Sequence, residues 1–262
     1  MKPSALILTG YGLNTDYELN YAFTLAGARA QRVHLNDLID RRVDLKDFQI
    51  LAVPGGFAFA DDLGAGKVFA QRLRTHLLDE LFEFIQSGKL IFSACNGFQI
   101  LVKLGLLPGL SGELDQEVTL THNDSGRFEN RWVYLKINPS SNCVFTEGIE
   151  NMYLPVRHGE GKFLPKNEAI LTQIQQMNLD VLHYVDESGD LADFPWNPNG
   201  SIENIAGLCD ESGRIFGLMP HPEAYLYKYN HPRWTRGEAP EQGMGLQIFK
   251  NAVNYVSSGV GV

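Results

Sequence analysis

The sequence predicts an α/β fold, a mostly parallel sheet with helices on both faces. Three observations lead there. Short apolar runs alternate with amphipathic stretches through the first hundred residues. The turns between them are short, as in strand–helix–strand units. The length of 262 residues suits one large domain of this class, so a single domain is expected over 1–262.

The elements follow in order. Residues 4–9 (SALILT) read as a buried first strand. A helix is expected over 14–27, opened by the capping residues Asn14, Thr15 and Asp16 and stopped by Gly27. Residues 31–35 and 49–53 read as strands two and three, the latter ending at Pro54-Gly55-Gly56. One long amphipathic helix is expected over 66–87, closed by Gly88. Strand four covers 89–94, and a helix over 96–104 ends at Gly105. In the second half, 131–137, 180–185 and 214–219 alternate like antiparallel strands. Turn chemistry fills Pro195 to Gly200, and a last helix spans about 242–257. No repeat or linker divides the chain. Ligands of parallel sheets lie beyond the carboxyl ends of the strands, which singles out the loops 54–66 and 93–97.

Composition narrows the function. Apolar residues at 44% and charged residues at 20% exclude a disordered or low-complexity chain. The net charge of −9, with no long basic run, argues against a nucleic-acid partner. No apolar run approaches a membrane span, so no membrane association is expected. The N-terminal apolar stretch is too short for a signal peptide. Cys95, Cys143 and Cys209 are too few and too widely spaced for a disulfide framework, which points to the reducing cytoplasm. Neither cysteines nor histidines show metal-ligand spacing, so no metal is expected.

Cys95 sits where the strand of Leu90, Ile91 and Phe92 meets the helix of Phe98, Ile100 and Leu101. A nucleophile elbow needs small residues two before and two after the nucleophile, and Ser93 and Gly97 meet that need. The free N–H groups and dipole of the following helix stabilise negative charge there. The bland alternative is a buried cysteine packed as a small hydrophobe. A thiol nucleophile needs a base and a group to orient it. His221-Pro222-Glu223 offers both: in extended chain His221 and Glu223 project to one side, and Pro222 stiffens the arrangement. The alternative is a surface loop. Gly55 and Gly56 after strand three could bring backbone N–H groups to a reacting carbonyl as an oxyanion hole, or could simply make a turn.

Taken together in this order, these motifs resemble the triad (class I) glutamine amidotransferases, and within them the branch that serves purine biosynthesis. The carrying strings are Pro54-Gly55-Gly56-Phe57 with Asp61-Asp62-Leu63-Gly64-Ala65-Gly66, then Cys95-Asn96-Gly97-Phe98-Gln99 and Arg127 to Trp132. His158-Gly159-Glu160-Gly161, Asn197-Pro198-Asn199-Gly200-Ser201 and His221-Pro222-Glu223 complete the series. They cover about 4–256. The resemblance implies a flavodoxin-like fold and hydrolysis of L-glutamine through a thioester on Cys95. His221 would act as acid and base, held by Glu223. N–H groups near Gly55 or Gly56 and at Asn96 would hold the oxyanion. Gln99 would contact glutamine, and a loop of His158, Gly159, Glu160 and Gly161 would line the same pocket. Ammonia would pass to a synthase subunit (PurL), with a small PurS-type subunit alongside. The partner would use ATP, Mg and formylglycinamide ribonucleotide, since no phosphate loop of the Walker type occurs here.

The sequence departs from the pattern in three places. Ala224 stands where relatives commonly have Arg, Ala58-Phe59-Ala60 replaces a common Ser-Tyr run, and 224–243 is long. Within that segment Tyr225, Tyr227, Tyr229 and Trp234, beside Lys228, Arg233 and Arg236, suggest a docking surface for the synthase. The competing readings are a glutaminase serving another synthase and a non-catalytic regulatory subunit on the same fold.

Overall fold

A computed structural model describes residues 2–112, 114–237 and 239–259, so the expected domain limits at 1 and 262 lie outside the described residues. Strands β1 (Ser4–Thr9), β2 (Arg29–His34), β3 (Ile50–Val53) and β4 (Leu90–Ala94) pair in parallel in the order β2-β1-β3-β4. The later strands are β5 (Val118–His122), β6 (Glu129–Ile137), β7 (Asn151–His158), β8 (Glu160–Pro165), β9 (Asp180–Val185), β10 (Ile205–Cys209) and β11 (Ile215–Leu218). β11 adds in parallel to β4, and β10, β9, β6 and β7 continue outward with antiparallel neighbours. β5 and β8 form a separate antiparallel pair.

Helices cover the parallel half on both faces, as expected. They are α1 (Asp16–Leu25), α2 (Leu35–Ile39), α3 (Lys67–His76), α4 (Leu78–Gln86), α5 (Asn96–Leu104) and, near the carboxyl end, the last helix α7 (Leu246–Ser257), whereas α6 (Glu168–Gln176) packs on β8. Phe92 of β4 points to Phe23 of α1 and Phe249 of α7, with ring centroids 6.2 and 5.3 Å away. The next residue, Ser93, points to the other face, where Phe98 of α5 packs against Gly217.

Three sequence expectations change. The single helix over 66–87 is two, because the chain turns at Leu77 (φ −135°, ψ 17°). Phe69, Leu73, Leu77, Leu81 and Phe84 are all buried, so helical periodicity runs through the break and hides it. The strand expected at 214–219 is not purely antiparallel. β11 is the seam of the sheet, parallel to β4 and antiparallel to β10, and every residue of it is buried. The last helix begins at Leu246 rather than near 242. Gly243 and Gly245 lie hard against the backbone of 222–226, where a Cβ on Gly245 would stand 1.9 Å from the Pro222 carbonyl oxygen.

Candidate active site

Adjacent parallel strands β3, β4 and β11 deliver the three motifs to one end of the sheet. Val53 pairs with Ser93, and Leu218 pairs with Ala94, so Gly55, Cys95 and His221 leave neighbouring strand ends together. Cys95 is buried and takes φ +50°, ψ −109°, a backbone conformation that a side-chain-bearing residue holds only under constraint. Its N–H donates to the Leu218 carbonyl at 2.8 Å. Gly97 is required: a Cβ there would lie 2.0 Å from the Val53 carbonyl oxygen. The small residues of the elbow thus let α5 press against the end of β3.

His221 Nδ1 meets Glu223 Oε1 at 2.6 Å, and both side chains are buried. An ionised carboxylate only accepts, so Nδ1 carries the proton and Nε2 is left for the nucleophile. Burial works against protonating this ring, but the Glu223 carboxylate and the neighbouring Cys95 outweigh it and raise the pKa to about 10. Nε2 and Glu223 Oε2 make no hydrogen bond among the described residues. The His221 N–H donates to Pro155 O at 2.9 Å, and Cys95 Sγ lies 3.8 Å from the Arg157 carbonyl. Strand β7, five positions from β4 in the sheet, therefore curls back over Cys95 and His221.

The two glycines differ. A Cβ on Gly55 would stand 2.8 Å from the His221 ring and 3.4 Å from Cys95 Cβ, so Gly55 borders both side chains. Its N–H is already donated to Thr15 Oγ1 at 2.9 Å, and its carbonyl accepts from Asn14 and Thr15. Gly56, at φ +151°, keeps a free N–H among the described residues. Asn96 does so too, because the first N–H of a helix has no partner within it. Gly55 is thus placed as a spacer, and Gly56 and Asn96 as the available donors.

Gln99 lies on the same turn. It accepts from Asn96 Nδ2 at 2.9 Å and donates to the Glu160 carbonyl at 2.6 Å. The segment expected as a loop at His158–Gly161 is the junction of β7 and β8, with Gly159 between them. Asn123 fixes its first residue. Its Nδ2 donates to the His158 and Arg127 carbonyls, so its Oδ1 must accept from His158 Nδ1 at 3.1 Å. Burial, reinforced by the charge of His221, lowers the His158 pKa to about 3 and keeps the ring neutral. The Glu160 side chain is partly exposed, beside His122 at 3.8 Å.

The Asn197–Ser201 string buttresses this junction from behind. Asn199 Nδ2 donates to the Gly161 carbonyl at 2.9 Å, and Ser201 Oγ bonds to Asn199 Oδ1 at 2.7 Å. Tyr225, expected on the docking surface, is wholly buried and stacks edge-on against Trp132. Tyr227, Tyr229 and Trp234 remain exposed. Cys143 and Cys209 are free, buried and away from the elbow. Sequence reasoning missed Thr15 and Asn123, whose roles depend on long-range contacts, and gave Asp61 no role of its own.

Comparison with known proteins agrees with this geometry. The family of CobB/CobQ-like glutamine amidotransferase domains matches residues 2–256. The phosphoribosylformylglycinamidine synthase subunit PurQ of Dehalococcoides mccartyi is 50% identical over 97% of this chain and 98% of its own length. The protein of that name from Methanococcus maripaludis is 42% identical over 97% of each chain. Among solved structures, a chain of PurLQS from Thermotoga maritima is similar with a TM-score of 0.73. It is 30% identical, covering 98% of this chain and 100% of that one.

Proposed function

The chain belongs to the family of CobB/CobQ-like glutamine amidotransferase domains, and from that premise we propose that it is the glutaminase subunit of phosphoribosylformylglycinamidine synthase. The relatives named PurQ and the likeness to a chain of PurLQS support this assignment. The observation that carries the chemistry is the buried His221 Nδ1 to Glu223 contact of 2.6 Å beside a cysteine on a strand–helix elbow.

Cys95 passes its thiol proton to His221 Nε2, and its Sγ attacks the side-chain carbonyl carbon of glutamine. The tetrahedral oxyanion is held by the N–H groups of Gly56 and Asn96. As it collapses, the C–N bond breaks and His221 Nε2 gives its proton to the leaving ammonia. The γ-glutamyl thioester remains on Cys95. His221, now neutral, takes a proton from water, the resulting hydroxide attacks the thioester, the C–S bond breaks to release glutamate, and the Cys95 thiolate takes the proton back from Nε2. Gln99 and the His158–Gly161 junction line the glutamine site. Ammonia passes to a PurL-type synthase subunit, with a PurS-type subunit as a further partner. ATP and Mg belong to the synthase, where formylglycinamide ribonucleotide is converted to the amidine.

The decisive test is Cys95→Ala in the complex purified with its native partners. Glutamine-dependent amidation is expected to vanish while ammonia-dependent amidation persists. Glutamine-dependent turnover by this variant would remove Cys95 from the mechanism.

A further inference from the structure

The two available N–H donors, unbonded among the described residues, come from separate chain segments, Gly56 after β3 and Asn96, next to Cys95, at the head of α5. Strand pairing ends at Val53 and Ser93, so the sheet register does not by itself fix their spacing. The Asn96 side chain, fully buried, spans the gap. Its Oδ1 accepts from the Ala58 N–H at 3.0 Å, and its Nδ2 donates to Asp61 Oδ1 at 3.1 Å. The same Asp61 oxygen accepts from the Gly66 N–H at 3.3 Å. One carboxamide and one carboxyl oxygen therefore tie both ends of the 57–66 loop to the first turn of α5.

The loop holds its shape against its own preferences. Phe59, Ala60 and Asp61 lie consecutively at φ 54°, 56° and 55°, the left-handed region that non-glycine residues avoid. Such a run persists only where the surroundings over-determine it. At one end Phe59 stacks on Tyr11 with centroids 4.5 Å apart and donates its N–H to the Tyr11 carbonyl. At the other end the fixing group is Asp61. It is half-buried, and burial raises its pKa despite the two bonds it accepts. The accepting oxygen, more than the charge, is what the tie requires.

We infer that Asp61 is a positioning residue for the oxyanion hole: through Asn96 it holds the Gly56 and Asn96 N–H groups at the spacing that a tetrahedral adduct on Cys95 needs. The inference rests on the glutaminase reading and deepens it. Asp61 transfers no proton and touches no reacting atom. Its loss acts on the step in which negative charge develops on oxygen, and leaves glutamine binding and thiol nucleophilicity in place.

The test compares two reactions of Cys95 in the native complex. Glutamate γ-semialdehyde adds to the thiol and forms an oxyanion. Iodoacetamide forms the S–C bond with loss of iodide and forms none. For Asp61→Ala, kcat is expected to fall about 10²-fold, as misplaced catalytic groups cost, at unchanged KM. The semialdehyde inhibition constant should rise in parallel, and the iodoacetamide rate should not move. Asp61→Asn, which keeps an accepting oxygen in place, should restore most of the activity. If the alanine variant does not fold, Asp61→Glu, which displaces the acceptor by one methylene, should give a smaller loss of kcat at unchanged KM. Equal loss of iodoacetamide reactivity, unchanged semialdehyde inhibition, or Asp61→Asn as impaired as Asp61→Ala would overturn the inference. A wild-type complex without glutaminase activity would instead overturn the function reading, and this inference with it.

Discussion

Replacing Glu223 by Gln isolates the charge of the His221 partner from its shape. The amide oxygen can still accept from Nδ1, so the imidazole keeps its orientation and loses only the carboxylate. In the native site the His221 pKa is raised from 6.5 to about 10. At about 1.4 kcal/mol per tenfold change in proton affinity, the net support of the imidazolium is at most about 5 kcal/mol. Cys95 supplies part of that support. Acid–base help of this kind is worth about 10²–10⁴-fold, and losing the charge while keeping the ring is expected to cost the lower end, about 10²-fold. Deleting the ring in His221→Ala removes the acid–base step itself and costs up to about 10⁴-fold. The assay is kcat at saturating glutamine, followed by kcat/KM from pH 6 to 10. Without the carboxylate, the support from Cys95 remains, and the alkaline limb of the profile moves only part of the way down from about pH 10 towards 6.5. A loss for Glu223→Gln equal to that for His221→Ala, or an unmoved alkaline limb, would refute the assignment of base and orienter.

Other expectations follow from the same geometry. Gly97→Ala should cost about 3 kcal/mol or prevent folding, because the added methyl meets the Val53 carbonyl at 2.0 Å; urea denaturation reads this directly. The two buried histidines should give the stability profile opposite slopes. His158, lowered to about 3, contributes stability above pH 6.5 that is lost as pH falls from there towards 3. His221, raised to about 10, contributes stability below pH 6.5 that is lost as pH rises towards 10. His158→Gln should therefore flatten the acid side of a Tm-against-pH curve and leave the alkaline side alone. On the exposed segment after the triad, Trp234→Ala with Arg233→Ala should weaken association with the synthase while circular dichroism stays unchanged; unaltered affinity in a titration removes the docking role from that segment. The isolated chain should hydrolyse glutamine slowly and accelerate on adding the synthase, a coupling that needs about 1–3 kcal/mol.

The parallel half of the fold and the three side chains that its strand ends bring together were legible because their signals are local. The elbow announces itself through Ser93, Cys95 and Gly97, and His221 and Glu223 are two residues apart. The strands β5, β7, β8 and β10 gave no such signal. β7, for example, carries Pro155 and ends in a buried histidine, and its place depends on pairing with β6. The break at Leu77 stayed hidden because apolar spacing ran straight through it. The choice between Gly55 and Gly56 as donor could not be read either. It turns on Thr15, forty residues upstream, whose hydroxyl occupies the Gly55 N–H.

The curl that returns β7 to the nucleophile has a consequence for how the protein is made. Cys95, Arg157 and His221 are separated by more than sixty residues at each step, yet the Arg157 carbonyl faces Cys95 and the Pro155 carbonyl holds His221. The nucleophile leaves the ribosome long before its base. A chain that stops short of β7 and His221 lacks both the strand that closes over Cys95 and the proposed base. Contacts of such sequence separation carry a large loop-closure cost and slow folding. On the proposed chemistry, ammonia release is thereby withheld from copies in which the last edge of the sheet has not closed.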